Sequence, residues 1–198
     1  YVAGIVALSA ADISNCSNSG EIAITGTYGC TGGIVGEQQN CGSITNCVNN
    51  GSFSTTVAHT ADGLFESIGG IVGWVRYNGA AGDYAKKEFI EVNNNVNNAD
   101  VLFGGCVGGI VGIAYNAILC DSNTNNGQID GRTFVAGIIG NLTHANNNTY
   151  DLGGTADYTT QIVITNNTNT NTVASTSGAT CINDIVYNNF NLAQITLT

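Results

Sequence analysis

A histidine, an aspartate and a serine in one short stretch are the parts of a hydrolase triad. The segment "STTVAHTADGLFES" (54–67) holds such a set in His59, Asp62 and Ser67. A triad is defined by geometry rather than by nearness along a chain, so the segment reads first as a polar loop. Asp151 and Asp157 flank Gly153-Gly154 and could offer carboxylates and carbonyls to calcium. Two carboxylates fall short of the usual donor count of such a site. The seven cysteines contain no C-x-x-C pair, and His59 and His144 stand far apart, which argues against structural zinc. No metal, cofactor or enzymatic activity is therefore expected. A contact patch is the remaining chemical candidate: Trp74, Arg76, Tyr77 and Tyr84 lie close together, and aromatics with arginine concentrate binding energy. The alternative is a packed excursion with solvated lysines.

Charge narrows the partners. Only 9% of residues are charged, and 14 acids face four bases, for a net charge of −10. Such a chain has little with which to neutralise phosphates or to meet an anionic membrane. The uncharged stretch from Phe103 to Leu119 is glycine-rich and shorter than the ~20 residues that a membrane-spanning helix needs. No basic region opens the chain, and with no methionine anywhere it reads as a processed product or a fragment. Sequons at Asn15, Asn50, Asn141, Asn147 and Asn166 suit an extracellular protein.

The elements that must position these residues are announced by a repeat. A glycine snippet occurs as Ala3-Gly4-Ile5-Val6, Gly32-Gly33-Ile34-Val35, Gly69-Gly70-Ile71-Val72, Gly108-Gly109-Ile110-Val111 and Ala136-Gly137-Ile138-Ile139. After each comes an asparagine-rich run, beginning at Ile13, Ile44, Val92, Cys120 and Ile164, and a sixth run aligns at Val186. Two residues after the start stand Asn15, Asn46, Asn94, Ser122, Asn166 and Asn188. Three after stand Cys16, Cys47, Asn95, Asn123, Asn167 and Asn189. Five after, the column is all asparagine: Asn18, Asn49, Asn97, Asn125, Asn169 and Asn191. Nine after, it is all apolar: Ile22, Phe53, Val101, Ile129, Val173 and Ile195. In this alignment Cys181-Ile182 stands where the sixth snippet should have Gly-Ile.

Short apolar snippets bounded by glycine and by Asn-Gly turns, without a helical period, read as short strands. Repeats of this length stack. The expectation is one all-β domain over 1–198: a parallel β-solenoid of about six coils, with insertions at 54–67, 74–91 and 141–161. Identical amides stacked at ~4.8 Å can hydrogen-bond along the stack. Inner ladders are expected from Asn15, Asn46, Asn94, Asn166 and Asn188, and from Asn18, Asn49, Asn97, Asn125, Asn169 and Asn191.

The stretch "GGIVGEQQNCGSITNC", with its weaker copies along nearly the whole chain, resembles the GLUG-motif repeats of bacterial surface proteins. The resemblance implies a surface-exposed repeat region of adhesins and large secreted proteases, in which the repeats are not catalytic. Two function readings follow. One is a structural subunit of an extracellular filament or surface fibre, with itself as partner. The other is an adhesin module that presents its insertions to a host glycan or protein.

Further expectations rest on the columns. Cys16 and Cys47 occupy one column in adjacent coils, close enough for a disulfide. Two stacked buried thiols are the equal alternative. Cys30 and Cys106 share a column two coils apart, too far to bond. Asn15 and Asn166, as inner residues, should carry no glycan, whereas Asn50, Asn141 and Asn147 could. Finally, "QITLT" at the C-terminus matches the part of a coil that precedes a snippet, as in "QIDGRTFVAGIIG", so that Thr198 followed by Tyr1 would complete a coil. That phase implies head-to-tail stacking into an open filament, with an axial rise of roughly 29 Å for six coils.

Overall fold

The computed structural model describes residues 1–26, 29–57, 66–76, 89–115, 118–143, 162–175, 181–188 and 196–197. Among them there is no helix, and every strand pairing is parallel. This is a parallel β-solenoid.

Each coil contributes one strand to each of several stacked sheets. Sheet A collects Val2–Ala3, Gly29–Gly32, Glu66–Gly69, Cys106–Gly108, Phe134–Ala136 and Cys181–Asn183. Sheet B collects Val6–Ser9, Val35–Gln39, Val72–Arg76, Val111–Tyr115, Ile139–Thr143 and Val186–Asn188. Sheet C holds Ile13–Ser14, Ser43–Thr45, Ile90–Asn93, Ile118–Asp121, Ile162–Thr165 and Thr196–Leu197. Sheet D is five-stranded: Ser17–Asn18, Val48–Asn49, Val96–Asn97, Thr124–Asn125 and Thr168–Asn169. The nine-after column closes the first five coils, with Ile22 paired to Phe53, and Ile129 paired to both Val101 and Val173, while Ile195 of the sixth lies outside the described residues.

The pattern of apolar residues explains the register. The snippet isoleucines Ile34, Ile71, Ile110 and Ile138 are fully buried, and they share one core with Ile44, Val92, Cys120 and Ile164 of sheet C. A second core gathers Ile22, Ile24, Ile68, Val101, Val107, Ile129 and Val135. A fully buried isoleucine contributes ~1.5–3 kcal/mol, and a one-residue slip would turn such a column to solvent.

The sixth coil departs from the expected alignment. Val186 pairs with Ile139, and Cys181 pairs with Phe134, so the sixth snippet is Asp184-Ile185-Val186 rather than Cys181-Ile182. The reason is apolar packing: Val186 is buried and Ile185 packs against the first core, as Ile139 and Ile138 do in the coil below. Asn188 therefore pairs with Leu142 in sheet B rather than standing at the corner after sheet C, while Asn191 lies outside the described residues. Thr196 and Leu197 pair with Val163 and Ile164. "QITLT" is thus the counterpart of "QIVIT" (161–165), not of "QIDGR", and the expected phase between the two ends does not hold.

The insertions are shorter than expected at their edges. Ser54 and Thr55 are in a strand, as are Glu66 and Ser67, Trp74–Arg76, Ile90 and Glu91, and Asn141–Thr143. Between sheets B and C the chain spans very different lengths. It takes residues 40–42 in the second coil, 77–89 in the third, 116–117 in the fourth and 144–161 in the fifth.

Candidate functional site

The repeated feature richest in polar chemistry is the pair of columns formed by the snippet glycines and the five-after asparagines. Asn18, Asn49, Asn97 and Asn125 are all buried. Asn18 Nδ2 donates to Asn49 Oδ1 (3.0 Å), Asn49 to Asn97 (3.1 Å), Asn97 to Asn125 (2.8 Å) and Asn125 to Asn169 (2.8 Å). Each rung is also locked to its own turn. The Asn97 Oδ1 accepts the Ala99 N–H (3.2 Å), and its Nδ2 donates to the Ala99 carbonyl (2.8 Å). Every polar atom of the amide is thereby used, which a buried amide requires.

The glycine column makes room for this ladder. A Cβ on Gly70 would lie 2.1 Å from the Gly109 carbonyl oxygen and 2.3 Å from Asn97 Cγ, and one on Gly33 would lie 2.4 Å from Asn49 Cγ. Only glycine fits. The snippet and the asparagine run thus occur together because one supplies the side chain and the other the space it fills.

The two-after column is a different device. Asn15, Asn46, Asn94 and Asn166 are exposed, and with Ser122 they have φ between 53° and 57°. They do not form an inner ladder. They turn the corner between sheets C and D in the left-handed region, which asparagine tolerates better than most residues. Consequently Asn15 and Asn166 face outward, and burial does not bar a glycan from them.

A second inner ladder instead runs through the three-after column. Asn95 Nδ2 donates to Asn123 Oδ1 (3.0 Å), and Asn123 Nδ2 to Asn167 Oδ1 (2.9 Å), while the same nitrogens reach the Ile44 and Val92 carbonyls. The Cys47 N–H donates down this line to Asn95 Oδ1 (2.9 Å). Below Asn95 the column continues as Cys47 and Cys16, both free thiols. Their sulfurs donate to the Thr45 and Ser14 carbonyls (3.3 and 3.4 Å). This is the stacked-thiol alternative, and burial pushes the Cys47 pKa up. A third, exposed ladder joins Asn126, Asn98 and Asn50: Asn126 Nδ2 donates to Asn98 Oδ1 (2.8 Å) and Asn98 Nδ2 to Asn50 Oδ1 (2.7 Å).

Sheets A and B carry the remaining cluster of reactive residue types. Cys30, Ser67 and Cys106 stand in register along sheet A, as Glu37, Trp74, Ile113 and Asn141 do along sheet B. Arg76 pairs with the buried Glu37 at 2.6 Å, and its guanidinium carbon sits 4.9 Å from the Trp74 ring centroid. Trp74 meets Tyr115 edge-on at 6.4 Å. Trp74 and Arg76 are therefore strand residues packed against their neighbours in the sheet. Tyr77 and Tyr84 lie outside the described residues.

Burial pushes the Cys30 thiol up to about 11 and the Cys106 thiol up to about 12, so neither is a ready nucleophile near neutrality. Ser67 is fully buried, and His59 and Asp62 lie outside the described residues, as do Asp151, Asp157 and Asn147. Asn141, expected to be open to glycosylation, is fully buried in sheet B with its amide toward Cys106 Sγ (3.9 Å), and burial excludes a glycan there. Asn50 is exposed.

The chain matches no curated protein and no solved structure. One family model does match, over residues 27–55. That span begins before the sheet A strand of the second coil and ends at Thr55, so it includes Gly33, Cys47, Asn49 and Phe53. The second coil, one of five in which a snippet glycine meets a ladder asparagine, thus matches the GLUG motif.

Proposed function

We propose that the chain is a structural, shaft-forming segment of an extracellular surface protein of the adhesin type, without catalytic activity of its own. The GLUG motif is found in surface proteins and supports the location. The observation that carries the structural role is the continuous five-rung amide ladder from Asn18 to Asn169. Its polar groups are spent on holding coil to coil, which is what a stiff spacer needs. Antibodies raised against the purified chain should label intact cells of the source. Labelling that appears only after permeabilisation would overturn the surface location.

A second reading, presentation of loops to a host glycan or protein, is favoured by the long segments that follow Arg76 and Thr143 at one corner of the coil. A glycan-array or pull-down signal that disappears when residues 77–88 are shortened would support it. Head-to-tail filament growth is the less favoured structural reading, because the register of Leu197 removes the phase argument for it.

A further inference from the structure

In five coils the first position of the Gly-Ile-Val unit is glycine: Gly4, Gly33, Gly70, Gly109 and Gly137. In the sixth it is Asp184, directly above Gly137, whose N–H donates to the Asp184 carbonyl (3.0 Å). A Cβ on any of the five glycines would lie 2.3–2.5 Å from Cγ of the ladder asparagine in the same coil. A side chain at position 184 therefore occupies the space in which a sixth ladder asparagine would stand. Its carboxylate does what that asparagine would do for the rung below: Asn169 Nδ2 donates to Asp184 Oδ1 (2.8 Å).

The substitution matters because the ladder has a direction. Each rung donates upward through Nδ2, and each rung above Asn18 receives from below at Oδ1. An asparagine amide can do both, whereas an ionised carboxylate can only accept. The lowest rung among the described residues is Asn18, whose Oδ1, also an acceptor, takes the Gly20 N–H (3.1 Å). If a second copy stacked its first coil on the sixth, acceptor would face acceptor.

We infer that Asp184 is the terminator of the asparagine ladder: it closes the amide chain of the fifth coil and prevents another copy from continuing that chain at this end. The inference uses the ladder geometry and not the surface location, so its failure would leave the shaft reading standing.

Two variants of the 198-residue chain test both halves. Asp184→Ala removes the acceptor without adding a donor. Hydrogen exchange at the Thr168 and Thr170 amides, which donate to the Asn123 and Asn125 carbonyls, should then quicken roughly 2- to 10-fold, the range for loss of one hydrogen bond. Asp184→Asn keeps the acceptor and adds the missing donor, so that exchange should stay at the wild-type rate. Sedimentation velocity over a concentration series should show end-on association for Asp184→Asn and none for the wild type or Asp184→Ala. Unchanged exchange in Asp184→Ala would overturn the capping half. Equal association of wild type and Asp184→Asn, at any level including none, would overturn the terminating half.

Discussion

At the residue scale, asparagine does three jobs in this chain, and spacing alone does not tell them apart. Asn97 is a buried rung with four hydrogen-bond partners, whereas Asn94, three residues earlier, is an exposed corner with φ 57°. Asn97→Ala should cost about 3 kcal/mol in chemical denaturation, because it strands buried donors and acceptors in the rungs on both sides. Asn94→Gly should be close to neutral and Asn94→Ala should cost about 1 kcal/mol, because only the left-handed backbone is at stake. The reverse order would show that the corner column carries the ladder. One signal in the sequence did separate the columns: Ser122 interrupts the two-after column, and a serine carries no amide, while the five-after column never varies. The second ladder was harder to see, since Cys16 and Cys47 hide its lower end. The thiols divide by exposure in the same way. Cys30, Cys47, Cys106 and Cys120 are buried, with Cys106 and Cys120 pushed up to about 12 by that burial, while Cys16 and Cys41 are partly exposed. Mass-resolved alkylation of the native protein should label Cys16 and Cys41 first, with the four buried thiols reacting only on unfolding.

At the scale of the element, each sheet is a stack whose weakest contact is set by backbone distance. Gly70→Ala places a Cβ against a carbonyl on one side and a rung on the other, and both belong to neighbouring strands that cannot yield independently. A loss of about 3 kcal/mol or more is expected, well above the ~1 kcal/mol or less of an ordinary glycine change. A second prediction concerns the edge of sheet C. Asp121 receives hydrogen bonds from Thr165 Oγ1 (2.6 Å), Asn166 Nδ2 (2.9 Å) and Ser122 Oγ (2.9 Å), and these hold its carboxyl below the usual range, Thr165 foremost. A carboxyl with a depressed folded value contributes stability above its unfolded pKa of ~3.9 and loses that contribution as the pH falls through the lower folded value. Thermal melts of wild type and Asp121→Asn should therefore differ at pH 6 and converge toward pH 2. A gap that persists at pH 2 would assign the effect to packing. Stacking itself was legible, because the snippet, the run and the nine-after column recur with apolar residues in fixed places. The sixth coil was not: once aspartate replaces the glycine, the motif is lost to alignment. Only the burial of Val186 and the packing of Ile185 show where the strand lies.

For the molecule as a whole, the contacts run coil to coil, so stability is a sum over neighbouring interfaces and loops at the corners are nearly independent of it. Nearly, but not wholly, because the corner between sheets B and C sets a limit of width. Strands in a stack are ~4.8 Å apart, and a segment with side chains is about 10 Å wide. Two bulky excursions therefore cannot leave adjacent coils without crowding, although excursions from alternate coils can. The segments at this corner run 10–12, 40–42, 77–89, 116–117 and 144–161 in the first five coils, so neither long one follows another long one. A ten-residue Gly-Ser insert between Asn116 and Ala117 should lower Tm by several degrees, while the same insert between Gly79 and Ala80 should leave it nearly unchanged. Equal effects at the two sites would remove the limit. If it holds, the short coils serve as gaps between the long ones. Long excursions along this face would then stand at least two coils apart, so that at most half of the coils in the stack could carry one.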